Sequence, residues 1–202
     1  MSTIIRIMRN DAKIINLGAL ADVRQGYPFR GAIPEAIGGS VRVIQMKDLT
    51  RAGLRDCDAL VTTEVEGRKE PEWLRDQDLL FVARGTSNYA VLLQAPPTRT
   101  VCSPHLYVIR VKQPHQLLAA FLAWQLNQLP AQRYLRQSAE GSHQLSIRRS
   151  ILEQIEVRIP SIEQQHNIVE LERTANAERK TLQALINNRD AELAAVAEHL
   201  LG

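Results

Sequence analysis

SIEQQHNIVELERTANAERKTLQALINNRDAELAAVAEHL, Ser161 to Leu200, is the stretch that decides how this chain is built. Apolar or small residues recur at Ile168, Leu171, Ala175, Leu182, Leu185, Ile186, Leu193, Val196 and Leu200, the three-and-four spacing that lays one stripe along a helix. No proline or glycine falls between Pro160 and Gly202, and Ser161, followed by Glu163 and Gln164, is the right residue type for a helix N-cap. At about 1.5 Å per residue the predicted rod reaches roughly 60 Å, too long to be one element of a compact domain of this size.

A long helix gains most of its stability by burying its apolar face against a partner. The sequence offers no second helix of matching length, so the rod either folds back on its own globular part or pairs with a helix of another chain. Positions seven apart, Ile168, Ala175, Leu182, Arg189 and Val196, favour a coiled-coil partner. Glu178 and Arg189 interrupt the seam, and polar seam residues cost stability while fixing register.

Outside the rod, composition narrows the class. The chain has 202 residues, 45% hydrophobic and only 4% aromatic, enough for one ordinary domain plus an appendage. No twenty-residue apolar run exists, and the apolar run in MSTIIRIMRND is too short for a signal peptide. Cys57 and Cys102 lie in no metal-ligand spacing, so two reduced thiols in a cytoplasm are expected. Charge is uneven. Through Ser150 there are 20 Lys+Arg against 13 Asp+Glu, and from Ile151 onward 5 against 9. Leu79 to Ala139 contains no carboxylate but holds Arg84, Arg99, Arg110, Lys112, Arg133 and Arg136, a segment suited to a polyanion.

Read in order, residues 4 to 15 form a lead-in or edge strand. IINLGALADVRQGYPFRG is a short strand or helical turn followed by a loop carrying Arg24, Gln25, Tyr27 and Arg30 around Gly26 and Pro28, either a solvated corner or a nucleic-acid contact. VRVIQMKDL alternates as a strand, and Arg51 to Asp78, with eight carboxylates and five basic residues, is solvent-facing loop and short strand. DQDLLFVARGTSNYAVLLQ predicts two strands joined by a loop whose Arg84, Thr86, Ser87, Asn88 and Tyr89 are donors for phosphate or base edges. PHLYVIRV is a further strand, and LLAAFLAWQLNQ a buried helix packed on the sheet and closed by Pro130. A short amphipathic helix, a polar loop around Gly141, and a helix or turn with Arg148 and Arg149 lead to Pro160. The expected domains are a head over 1–160 and a helix over 161–202.

Motifs for covalent chemistry are missing. His105, His115, His143, His166 and His199 are scattered without a partner at ligand spacing. The sequence has no GxSxG, HExxH, GxGxxG or GxxxxGK[ST] and no methyltransferase tetrad. No catalytic residue and no metal site is expected in this chain.

The order of segments then carries a resemblance. LGALADVRQGYPFRG, DLLFVARGTSNYAV, PHLYVIRV, a helix, and AEGSHQLSIRRSILEQIEVRIPSIEQQHNIV running into a long helix resemble the specificity (S) subunit of type I restriction-modification systems, in a half-length form. The tail, a Gly-Ser loop followed by I…L..I.V.IPS…EQQ..IV, is the more specific part. The resemblance implies an α+β fold: one target recognition domain, a twisted mixed sheet with packed helices, then a spacer helix forming an antiparallel coiled coil with a second copy. It implies a non-catalytic subunit that reads a bipartite inverted repeat in double-stranded DNA. Methyltransferase (M) subunits, and the restriction (R) subunit with them, are the implied partners, and S-adenosylmethionine and ATP belong to those partners alone. On loop position and chemistry, the expected DNA contacts are Arg24, Gln25, Tyr27 and Arg30, then Arg84, Thr86, Ser87, Asn88 and Tyr89, then Ser142, His143, Gln144, Arg148 and Arg149. The expected dimerisation positions are the stripe residues from Ile168 to Leu200 together with Arg189. A protein-binding scaffold dimerised by the same helix is the alternative reading.

Overall fold

The computed structural model describes residues 12–65, 71–139 and 145–202. The chain divides into two compact units, Met1–His166 and Asn167–Gly202.

In the first unit, β1 (Lys13–Asn16), the helical turn α1 (Leu17–Leu20) and β2 (Ala21–Gln25) follow without a loop. β3 (Val41–Ile44) is shorter than its alternation suggests. The Asp48 carboxylate accepts the Gln45 N–H at 2.8 Å, which turns the chain into a single 3-10 turn at Met46–Asp48. Two short strands, β4 (Leu49–Thr50) and β5 (Gly53–Leu54), make a small hairpin, and β6 (Val61–Thr63) follows. β7 (Leu79–Val82), β8 (Arg84–Gly85) and β9 (Ala90–Leu92) come from the apolar pair of runs around ARGTSNY. β10 (Thr100–Cys102) and β11 (Leu106–Val111) complete the main strands.

Four strands form an antiparallel sheet in the order β2-β11-β7-β9, and three form a mixed sheet, β10-β3-β6, in which β10 and β3 run parallel. Strand alternation gives the larger sheet two apolar faces. On one face Leu80, Val82 and Leu106 pack with Ile44, Leu49, Leu74 and Cys102, joining the two sheets in one core. Against the sheet lies α2 (Ala119–Leu126), which buries Phe121, Leu122 and Leu126, as the apolar run LLAAFLAWQLNQ leads one to expect. Pro130 does not close that helix. It stands in the first turn of α3 (Leu129–Ser138), where a missing N–H costs nothing.

Half-buried side-chain amides close the sheet edges. Asn127 accepts from the Ala90 N–H at 2.9 Å and donates to the Ala90 carbonyl at 2.8 Å, satisfying the outer rim of β9. Downstream come β12 (Leu145–Ser146), α4 (Arg149–Glu153) and β13 (Glu156–Ile159), the last paired antiparallel with β1. No strand is expected at β13 from the sequence, which reads there as a helix or turn. Gln125 does for β13 what Asn127 does for β9, bonding both backbone groups of Arg158.

α5 (Ile162–Leu201) is continuous over forty residues. Ser161 Oγ accepts the Gln164 N–H at 3.3 Å, the N-cap its sequence position predicts. Gln165 in the first turn is fully buried: it accepts the Leu118 N–H and donates to the carbonyls of Gln116 and Pro160, all within 3.0 Å. In the second unit the stripe is open to solvent, Leu171 being 71%, Leu182 59%, Leu185 61% and Leu200 74% exposed. Among the described residues no helix is long and apolar enough to cross a membrane.

Candidate nucleic-acid interface

Strand register gathers three of the polar stretches at one end of the larger sheet. Gln25, the last residue of β2, lies opposite Tyr107, and Val82, the last of β7, lies opposite Leu106. The segments leaving β2 and β7 therefore emerge beside the turn that enters β11. The third stretch returns to the same place, since Ser146 pairs with Arg84, Leu145 with Gly85, and the Ile147 N–H donates to Ala83.

The first stretch is more ordered than a loop. Arg24 and Gln25 belong to β2. Arg24 is ion-paired with Glu72 and lies 3.4 Å from Asp22. Gln25 is exposed and donates to the Pro104 carbonyl at 3.0 Å. At Gly26 the backbone presses against Cys102 and Ser103 so tightly that a Cβ would stand 2.1 Å from the Ser103 carbonyl oxygen. Tyr27 and Phe29 turn onto one another, ring centroids 4.7 Å apart, over Val41, Val43 and Val101. Arg30 is exposed.

In the second stretch Arg84, Thr86 and Ser87 are exposed, whereas Asn88 is buried and donates to the Val82 carbonyl at 3.0 Å. Tyr89 donates its hydroxyl to the Leu49 carbonyl at 3.2 Å, and the Arg51 guanidinium lies 5.3 Å from its ring centroid. These two side chains shape the loop from within. Arg51, which the sequence places in the acidic stretch, reaches the same loop through its cation–π contact. In the third stretch Ser142, His143 and Gln144 lie outside the described residues. Arg148 is exposed at the N-terminus of α4, and Arg149 is engaged by Glu153 at 2.7 Å.

The carboxylate-free interval is not unopposed in space. Arg110 makes a two-pronged pair with Asp78, both distances 2.7 Å, and reaches Glu72 at 3.0 Å. Asp78 is almost fully buried, and its hydrogen bonds hold the Arg110 guanidinium above its usual range. Lys112 stands 3.7 Å from Asp22, and Arg99 covers the Trp73 ring at 5.0 Å while donating to the Ser40 carbonyl. Carboxylates that sequence order assigns to a solvent-facing counterweight thus fold onto the basic strands. No local signal marks these pairs: Arg110 stands 32 residues from Asp78 and 38 from Glu72 in the chain. A cavity of about 140 Å³ lies beside them, lined by Arg24, Tyr27, Glu72, Leu74, Val108 and Arg110 among others. Among the described residues there is no group of three or more His, Cys, Asp or Glu able to hold a metal ion.

Of the stripe positions on α5, Leu171, Leu182, Leu185, Ile186, Leu193, Val196 and Leu200 are exposed, and Ile168 and Ala175 half-buried. Arg189 is exposed and bridges to Glu192 at 2.8 Å.

Comparison with solved structures finds the same fold in type I specificity subunits. The S subunit from M. genitalium matches with a TM-score of 0.59 and 16% identity over 89% of this chain and 43% of that one. A structure describing complex assembly and conformational transition of the type I R-M system matches with a TM-score of 0.66 and 15% identity, over 94% and 44%. The HsdS subunit from Thermoanaerobacter tengcongensis gives 0.57 and 16%, over 87% and 40%. This chain therefore spans less than half the length of each of them. No curated protein matches the sequence. The model of the type I restriction modification DNA specificity domain matches residues 10–187, so the chain belongs to that family.

Proposed function

We propose that this chain is a non-catalytic, sequence-reading subunit of a type I restriction-modification complex, acting on double-stranded DNA in the cytoplasm as a pair of identical copies. The observation that carries the reading is the convergence of exposed polar side chains at one end of the larger sheet: Gln25, Arg84, Thr86 and Ser87, joined by Arg148 through the pairing of β12 with β8. Arginine supplies phosphate contacts and bidentate contacts to guanine, and glutamine suits adenine. Arg30 and Arg51 add exposed positive charge.

Each head reads one half-site. Two heads related by a two-fold axis read an inverted repeat with an unread spacer between its halves. The exposed stripe on α5 supplies the pairing surface, and two copies of a chain covering 40–44% of the solved subunits together account for most of their length. M subunits bind S-adenosylmethionine and methylate, and an R subunit uses ATP and cleaves. This chain contributes the address and the docking surface.

The test is DNA binding by fluorescence anisotropy across a salt series. Affinity falls steeply with salt, with a slope of about −0.9 per phosphate contact, and Arg84→Ala or Arg148→Ala weakens binding and flattens that slope by about 1. Binding that ignores both salt and these substitutions contradicts the reading and favours the scaffold alternative.

A further inference from the structure

The stripe on α5 carries two charges, Glu178 and Arg189, in line with Leu171, Leu182, Leu185 and Val196. At 3.6 residues per turn these six positions fall within a sector about 60° wide. A helix paired with a second copy through this sector cannot keep both charges in water, so their partners decide which arrangement survives.

Two arrangements of identical helices are available. In a parallel, in-register pair each residue meets itself, so Glu178 faces Glu178 and Arg189 faces Arg189, two like-charge contacts at the centre of the seam. In an antiparallel pair with its two-fold axis between Gln183 and Ala184, Glu178 of each copy faces Arg189 of the other. The same axis sets Leu182 against Leu185 and Leu171 against Val196, each contact occurring twice. The register that matches the charges therefore also matches these four large apolar side chains, while Leu200 faces Asn167 and Ile186 faces Thr181. In the single chain Arg189 is 75% exposed and bonded to Glu192, also exposed, an interaction weak enough to exchange for the one across the seam.

We infer that Glu178 and Arg189 are the specificity determinants of α5: their reciprocal pairing fixes a second copy of this chain as the partner, and fixes it antiparallel with the axis between Gln183 and Ala184. The inference rests on the self-pairing proposed above and adds the residues that direct it.

Charge reversal separates the possibilities. Self-association is measured by sedimentation equilibrium for the native chain, Glu178→Arg, Arg189→Glu and the double exchange Glu178→Arg with Arg189→Glu. All four are checked for retained helicity by circular dichroism, since both side chains are exposed in the single chain. Each single reversal creates two like-charge contacts and weakens self-association on the order of 100-fold, while the double exchange restores it to within about fivefold of native. In a parallel pair neither single reversal changes the number of like-charge contacts. Singles that associate like the native chain therefore overturn the inference, as does a double exchange as weak as the singles. DNA binding in the same buffers keeps the two readings apart. A native chain that pairs and binds DNA but ignores the reversals overturns the register alone, and a native chain that stays monomeric overturns the self-pairing as well.

Discussion

The two units of this chain treat apolar side chains in opposite ways. In Met1–His166 most of the large ones described are covered by the unit itself, Ile14, Ile37, Leu129 and Ile162 excepted: Leu80 and Leu106 are completely buried between the two sheets, and even the rims of β9 and β13 are closed by Asn127 and Gln125. In Asn167–Gly202 no large apolar side chain is buried, and Leu182, Leu185, Leu193 and Val196 are more than half exposed. Helix propensity alone stabilises an isolated rod only marginally. The head buries its core by itself, and the rod leaves its apolar stripe uncovered.

Substitutions that act on only one unit sharpen this contrast. The largest effect is expected at Gly26→Ala, where the new Cβ would overlap the Ser103 carbonyl and neither backbone can yield without parting β2 from the Cys102–Ser103 segment. Near-UV circular dichroism should show the head's tertiary signal lost, an effect on the order of 4 kcal/mol or more. Next comes Asp78→Asn. It leaves Arg110 without its buried partner and lowers head stability by about 3 kcal/mol in urea unfolding, with self-association through α5 unchanged. Equal loss in both properties would mean that the units do not divide the labour as described.

The smallest effect concerns Cys102, whose thiol burial pushes up from 9.0 to about 12. The folded state holds this proton more tightly than the unfolded chain, so the stability it contributes is full below about pH 9 and falls as pH rises toward 12. Melts between pH 8 and pH 11 should show the native chain losing stability more steeply than Cys102→Ala. Parallel curves would show that the thiol is not sealed in the core.

What was legible in the sequence follows the same division. Periodicity finds α5, the hairpin of β7 and β9, and α2, because in each the decisive spacing is local. It cannot see that Glu72 and Asp78 fold back to Arg24 and Arg110, since nothing within a few residues of any of them announces a partner across the sheet. The loop around ARGTSNY shows the same limit within seven residues. Arg84, Thr86 and Ser87 face out, whereas Asn88 and Tyr89, equally polar on paper, bond inward to Val82 and Leu49. Pro130 is ambiguous in the sequence because a proline ends one helix and begins another with equal ease.

Light-scattering mass of the full chain, taken over a range of concentrations beside Leu182→Asp, measures directly whether a second copy covers the exposed stripe of α5. Twice the 22.7 kDa chain mass for the native protein, falling to a single chain in the variant with the head's melting temperature unchanged, is the predicted result. A single-chain mass for the native protein at every concentration would contradict it.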